Sequence, residues 1–220
     1  MRNPLLGAAL AALLSAPASA AWQDYAPTDF SLASPPAPGS AADRQDMDTL
    51  LQDEGTRTPQ QCALAASMPV PDFQSLWGSS GLLSPDELSA VGPFVDSVSK
   101  MMSKVAGYYK KKFSRPRPYN ENPALKPCAD KPGGSTAYPS GHAAAGAIDA
   151  CVLDQLFPDR KKDLDARGTL IGDLRVIAGV HHPTDVTAGR DLAGQVCERL
   201  RGDDSFQADL SRVRASLPAR

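Results

Sequence analysis

Three islands of this 220-residue chain concentrate side chains that handle anions and protons. The first is Lys110 with Arg117-Pro118, and the second is Pro139-Ser140-Gly141-His142. The third runs from Arg175 through His181 and His182 to Asp185. As spacings they are Lys-x6-Arg-Pro, Pro-Ser-Gly-His and Arg-x5-His-x3-Asp, separated by about 20 and about 32 residues. Lysine supplies a point charge, and arginine a planar fork that matches two oxygens of a tetrahedral oxyanion. Two imidazoles and a carboxylate add a nucleophile, a proton carrier and an orienting group. Together these groups meet the requirements for holding a phosphoryl group and moving it by way of a histidine.

Each island also carries a local structural signal. Ser140 is a good helix N-cap, and Gly141 lets the backbone approach a ligand closely. The unpaired first-turn N–H groups and the helix dipole behind them then form an anion site, with His142 in that same turn. Asp185 follows a proline near a helix start, where the dipole keeps a carboxylate ionised. From there it can accept a proton from His181 Nδ1 and leave Nε2 as nucleophile. His182 is expected to be a supporting or exposed residue. Lys111, Lys112 and Arg115 are expected to form a solvated basic face without a catalytic role. Reading His181, His182 and Asp185 as metal ligands is weaker, because a proline intervenes and a metal leaves Lys110, Arg117 and Arg175 unexplained.

The elements that must position these groups are all helical. Short helices are expected over Asp46 to Gln52 and Thr58 to Ser67, the second capped by Thr58 with Pro59 at its first position and Gln61 closing a capping box. Ser84-Pro85-Asp86-Glu87 repeats that signal and opens a long helix through Val95, Val98, Met102 and Val105 toward Lys112, with Pro93 a site for a kink. Arg115-Pro116-Arg117-Pro118 ends it, because a residue before proline avoids the α region. Glu121 to Ala137 is loop. Ser140 opens a helix that is apolar nearly all round, from Ala143 to Phe157. Further helices cover about Lys161 to Val180, Thr184 to Leu200 and Asp204 to Leu217. No strand pattern and no internal repeat emerges, so the fold class is all-α: one helical bundle with its site between helices.

Composition narrows the setting. Residues 1–20 have one charge (Arg2), an apolar run from Leu5 to Leu14 and a small-residue site at Ala18-Ser19-Ala20, the pattern of a cleavable signal peptide. The expected organisation is a signal over 1–20, a Pro-rich extended arm over 21–40 and a helical domain over 41–220 with its motif core at 110–190. A formal net charge of −2 gives no basic excess for nucleic acid, and no stretch reaches the roughly 18 apolar residues of a membrane span. Four cysteines (Cys62, Cys128, Cys151, Cys197) allow two disulfides in any of three connectivities, or buried thiols at Cys151 and Cys197. A periplasmic or secreted location follows from the signal, and a homo-oligomer is compatible with the chain.

The three motifs, in this order, resemble the signature of the type 2 phosphatidic-acid phosphatase and haloperoxidase superfamily, and within it the bacterial class A non-specific acid phosphatases. The resemblance is strong from about Lys110 to Arg190. It implies a metal-independent acid phosphatase without cofactor, acting on small-molecule phosphate monoesters through a phosphohistidine intermediate and inhibited by vanadate. By the same resemblance His181 is the nucleophile, His142 protonates the leaving alkoxide, and Asp185 orients the nucleophile. Lys110, Arg117, Ser140, Gly141 and Arg175 fall on phosphate-binding positions. One departure is Leu174, where the family usually has a small or polar residue. The alternatives are a vanadate-dependent haloperoxidase, whose cage has the same inventory, and a non-catalytic phosphate-binding protein. N-terminal sequencing of exported material is expected to begin at Ala21-Trp22-Gln23; an intact Met1 on mature protein would remove the signal-peptide reading.

Overall fold

The computed structural model describes residues 21–132 and 134–218, so the expected signal segment lies outside the described residues. Nine α-helices follow one another there: α1 (Ala41–Thr56), α2 (Pro59–Ala66), α3 (Phe73–Trp77), α4 (Pro85–Phe113), α5 (Pro118–Glu121), α6 (Gly141–Leu156), α7 (Lys161–Ile177), α8 (Pro183–Arg201) and α9 (Asp204–Ala215). Among the described residues there is no β-strand, only an isolated bridge between Pro116 and Thr136.

Local chemistry explains the helix boundaries. Thr58 and Ser84 each accept a bond from the backbone three residues on, while Gln61 and Glu87 reach back to close two capping boxes. Glu87 does more than cap, because it also pairs with Arg160 at 2.6 Å and ties the start of α4 to the start of α7. Helix α4 runs through Pro93 and ends at Ser114, which takes a left-handed turn at φ 48°. The two prolines that follow keep Arg115 and Arg117 extended, so both guanidiniums leave the helix end on a stiff strap.

Helix α6 is the central element, packed against α4, α7 and α8. Its apolar surface explains this position: Ala143, Ala144, Ile148, Val152 and Leu153 are all buried. Two contacts set the helix spacing. A Cβ on Gly146 would lie 2.8 Å from the Gly168 carbonyl, so α6 and α7 touch backbone to backbone. A Cβ on Gly189 would lie 2.5 Å from the Ser140 carbonyl, so the first turn of α6 rests directly on α8. Disulfides Cys62–Cys128 and Cys151–Cys197 join α2 to the loop after α5 and α6 to α8. They select one of the three connectivities and leave no free thiol among the described residues.

Three expectations require correction. The 21–40 arm is not wholly extended: it forms 3₁₀ turns at Trp22–Asp24 and Pro27–Asp29. Its Trp22, Tyr25 and Phe30 are buried, with Trp22 packed edge-on against Phe94 and Phe206, so apolar burial outweighs the turn-forming prolines. Helix α1 starts earlier and ends later than expected, because Ser40 caps it and the Asp and Gln positions still propagate helix. Helices α3 and α5 were not expected, being too short for periodicity to register.

Asp149 is the one carboxylate planted in the middle of the central helix, fully buried. Ser99 Oγ and Trp77 Nε1 donate to its two oxygens at 2.6 and 3.0 Å, joining α6 to α4 and α3. Burial outweighs these donors and pushes the carboxyl up to about 7, with Asp96 and Asp72 adding repulsion. A carboxyl raised on folding stabilises the fold fully below its unfolded pKa and loses that contribution as pH rises toward 7, by up to about 4 kcal/mol. Wild type is therefore expected to lose melting temperature between pH 4 and pH 7.5 more steeply than Asp149→Asn. Identical slopes in scanning calorimetry would show that Asp149 does not titrate in this window.

Candidate functional site

The three islands converge where the N-terminus of α6, the strap after α4 and the α7–α8 turn meet. Gly179, at φ +74°, reverses the chain after α7, and its neighbours bring Arg175, His181 and Asp185 into register. The Val180 and His181 N–H groups both return to the Arg175 carbonyl, at 3.0 and 3.2 Å. Helix α8 then starts at Pro183, with Asp185 in its first turn accepting the His182 N–H at 2.8 Å. Ser140 N donates to the Asp185 carbonyl at 2.8 Å, locking the second island to the third.

His181 is 2 % exposed and lies between a carboxylate and a cation. Its Nδ1 faces Asp185 Oδ2 at 3.3 Å, and its Nε2 faces Arg117 Nη1 at 2.6 Å. Arg117 offers N–H donors and no acceptor, so Nε2 is the acceptor and Nδ1–H the donor to Asp185. This is the tautomer that a nucleophilic Nε2 needs. Burial, together with repulsion from Arg117 and Lys110, holds the imidazole well below its usual pKa despite Asp185. Burial pushes the Asp185 carboxyl up, but donors from His181 and His182 win and keep it far below the usual carboxylate range.

His142 occupies the opposite side, in the first turn of α6, with Nε2 3.0 Å from the Met68 carbonyl. Arg175 Nη1 reaches that same carbonyl at 3.2 Å and the Ala65 carbonyl at 3.1 Å. Burial, then repulsion from Arg175, Arg117 and Lys110, drives His142 down to about 3. Lys110 Nζ is held by the Thr136 and Ala137 carbonyls at 3.3 and 3.2 Å; burial and Arg117 bring it down to about 7. Arg175 falls to about 10 for the same two reasons. Its Nε is buried without a hydrogen-bond partner among the described residues. Ser140 caps α6 by accepting from Ala143, so the first-turn N–H groups of Gly141 and His142 stay outside the intrahelical ladder. Three desolvated cations, an orphan guanidinium donor and a helix N-terminus thus crowd one place. A multivalent oxyanion would relieve every one of these penalties.

Lys110, Arg117, Ser140, Gly141, His142, Arg175, His181 and Asp185 are all brought into this one neighbourhood. One supporting residue departs from expectation, while His182 takes the supporting role. Arg115 is not on a solvated face: it is 5 % exposed and donates to Asp185 at 2.9 Å, Asp46 at 2.9 Å, Asp43 at 3.0 Å and the Thr184 hydroxyl at 2.8 Å. Burial alone would lower it, but Asp185 and Asp46 raise it above the usual guanidinium value. His182 is fully buried and bridges Asp185 Oδ2 and Glu121 Oε2, at 3.0 Å each. Sequence reasoning missed Asp46, Asp43 and Glu121, because carboxylates so far along the chain carry no local signal. Lys111 and Lys112 are exposed as expected, with Lys112 over the Tyr109 and Phe113 rings. With Nδ1 of both His181 and His182 directed at one carboxylate oxygen and each Nε2 engaged elsewhere, this cluster has no convergent face for a metal ion.

Residues 95–198 match the family described as the PAP2 superfamily. That stretch contains all three islands, the same part of the chain over which the motifs resemble that superfamily. A non-specific acid phosphatase of Salmonella typhimurium is 35% identical over 126 residues, covering 54% of this chain and 50% of that protein. An acid phosphatase of Zymomonas mobilis is 32% identical over 117 residues, covering 50% of this chain and 43% of that protein. The chain spans about half the length of the curated relatives it matches. Among solved structures, a transmembrane PAP2-type phosphatidylglycerolphosphate phosphatase from Bacillus subtilis superposes with a TM-score of 0.57 at 19% identity, covering 78% of this chain and 89% of that one. A bacterial vanadium-dependent chloroperoxidase does so with 0.58 at 14%, covering 86% and 52%. These two share the fold. Among the described residues no helix is long and apolar enough to cross a membrane.

Removing Arg115 would leave Asp46 and Asp185 buried without their cation. Arg115→Ala is expected to cost about 3–5 kcal/mol of stability, read by denaturant unfolding, while Lys111→Ala stays within about 0.5 kcal/mol. A small effect for Arg115→Ala would mean that the acidic cluster finds another partner.

Proposed function

We propose that the protein is an exported acid phosphatase that hydrolyses phosphate monoesters through a phosphohistidine on His181, without a metal or other cofactor. The observation that carries the reading is an imidazole that donates to Asp185 beside three cations, Lys110, Arg117 and Arg175, each lowered by desolvation. The acid phosphatases among the relatives support the substrate class. The signal pattern of residues 1–20 supports export.

The geometry supports a two-step reading. A bound phosphate dianion draws Arg117 onto its oxygens and frees His181 Nε2. Lys110, Arg175 and the first turn of α6 take the remaining equatorial charge. Nε2 attacks phosphorus in line, the ester P–O bond breaks, and its electron pair leaves on the alcohol oxygen. Asp185 stabilises the positive charge that His181 gains. His142 must enter this step protonated, although burial and three cations bring it down to about 3. The dianion supplies the missing compensation, so the proton arrives with the substrate. Because Nε2–H is anchored on the Met68 carbonyl, Nδ1 gives the proton to the leaving oxygen. Water then attacks the phosphohistidine, His142 takes its proton, and phosphate departs.

The test is hydrolysis of several monoesters in the presence of EDTA, by wild type and two variants. His181→Ala is expected to abolish turnover and phosphoenzyme formation with every substrate. His142→Ala is expected to lose about 10²–10⁴-fold on glycerol phosphate but far less on 4-nitrophenyl phosphate, whose aryl oxide leaves without a proton. Equal losses on both substrates would take His142 out of the leaving-group role. Fast halide oxidation with vanadate and negligible monoester hydrolysis would overturn the reading itself.

A further inference from the structure

Beside the cage, a cavity of about 150 Å³ opens between α4 and α6, with Lys110 and Gly141 adjacent at the end nearest the cage. Its walls are Met102, Ala106, Ala144 and Ala145, with Pro71 across from them and Ser103 and Gly107 also lining it. The lining is mainly hydrocarbon. The Ser99 hydroxyl, further along α4 from Lys110, is already committed to Asp149 at 2.6 Å, so it offers little to a polyol. Apolar cavities of about this volume stay dry and accept benzene.

Gly107 is the informative residue. It lies in the interior of the 29-residue helix α4, where glycine costs about 1 kcal/mol relative to alanine. No turn, close contact or positive φ requires it: a Cβ built there meets nothing within 4 Å. Gly146, Gly168 and Gly189 are different, because their neighbours leave no room. What Gly107 provides is open space in the wall of the cavity, next to the lysine of the cage.

We propose that this cavity is the subsite for the alcohol portion of the substrate and that it takes a flat apolar ring, so that aryl and benzyl-like phosphates are the preferred class. The inference rests on the phosphate-site reading above. With the phosphoryl group on Lys110 and the first turn of α6, the ester oxygen points toward Gly141, and the ring lies along Met102, Ala106 and Ala145. Gly107 and Ser103 set the size limit.

The experiment uses phosphonates, which are not hydrolysed, so that leaving-group reactivity plays no part. Calorimetry compares benzylphosphonate with methylphosphonate on wild type, Gly107→Leu and Ser103→Leu. Wild type is expected to bind benzylphosphonate about ten-fold or more tightly than methylphosphonate. Either leucine should bring that ratio below about two by filling the cavity, at positions where a helix tolerates it. A ratio near one in wild type, or a ratio that survives both leucines, overturns the subsite. Both ligands weakening in parallel in both variants would also overturn it, by showing that these positions act on the cage. Loss of hydrolysis with the benzyl preference intact would refute the enzyme and leave the subsite standing. Failure of both phosphonates and inorganic phosphate to bind would refute the phosphate site and this subsite together.

Discussion

A single buried carboxylate, that of Asp185, is the charge on which the rest of the site depends. It sits in the first turn of α8, where the dipole favours it, and receives bonds from His181, His182 and the His182 backbone. Behind it Arg115 spreads one guanidinium over Asp43, Asp46 and Asp185. In front of it stand Lys110, Arg117 and Arg175, each depressed by burial. The charges are therefore layered: an acidic layer at the back, an imidazole in the middle and a cationic layer in front, of which Lys110 lines the cavity. In a desolvated interior this layering polarises His181 along the line on which phosphorus would approach.

Such an arrangement is costly to assemble, and the helices around it are packed to hold it. The backbone contact of Gly146 with Gly168 leaves α6 and α7 no freedom to slide by a fraction of a turn. The contact of Gly189 with Ser140 does the same for α6 and α8. The Cys151–Cys197 disulfide reinforces the α6–α8 junction directly, while Cys62–Cys128 ties α2 to the loop after α5. The rigidity matters because positions must hold to a fraction of an ångström for in-line attack.

The candidate site was more legible in the sequence than its support. Lys110, Arg117, His142, Arg175, His181 and Asp185 announce themselves because the strap, the cap and the tight turn each fix spacing locally. Arg115 sits in the same strap, yet nothing nearby in sequence distinguishes it from Lys111 or Lys112. Its partners Asp43 and Asp46 come from α1, and only folding brings them together. Asp149 gives no signal for the opposite reason: a carboxylate in mid-helix, with Asp154 near the end, barely alters an apolar pattern, although Ser99 and Trp77 are placed to receive it. The arm was misjudged because prolines signal turns whether or not the aromatics between them are buried.

The Met68 carbonyl makes one last point about the architecture. A single oxygen just past the end of α2 holds both His142 and Arg175. The group that would protonate the departing alcohol and a group that would clamp the phosphoryl oxygens thus share one pivot, on a segment that contributes no side chain to either task. Any displacement of that pivot moves both together, in the manner of two levers on one pin. The stretch from Cys62 to Pro71, unremarkable in composition, therefore works as the mechanical mount of the site, and the Cys62–Cys128 bridge is the bolt that fixes it to the body of the protein.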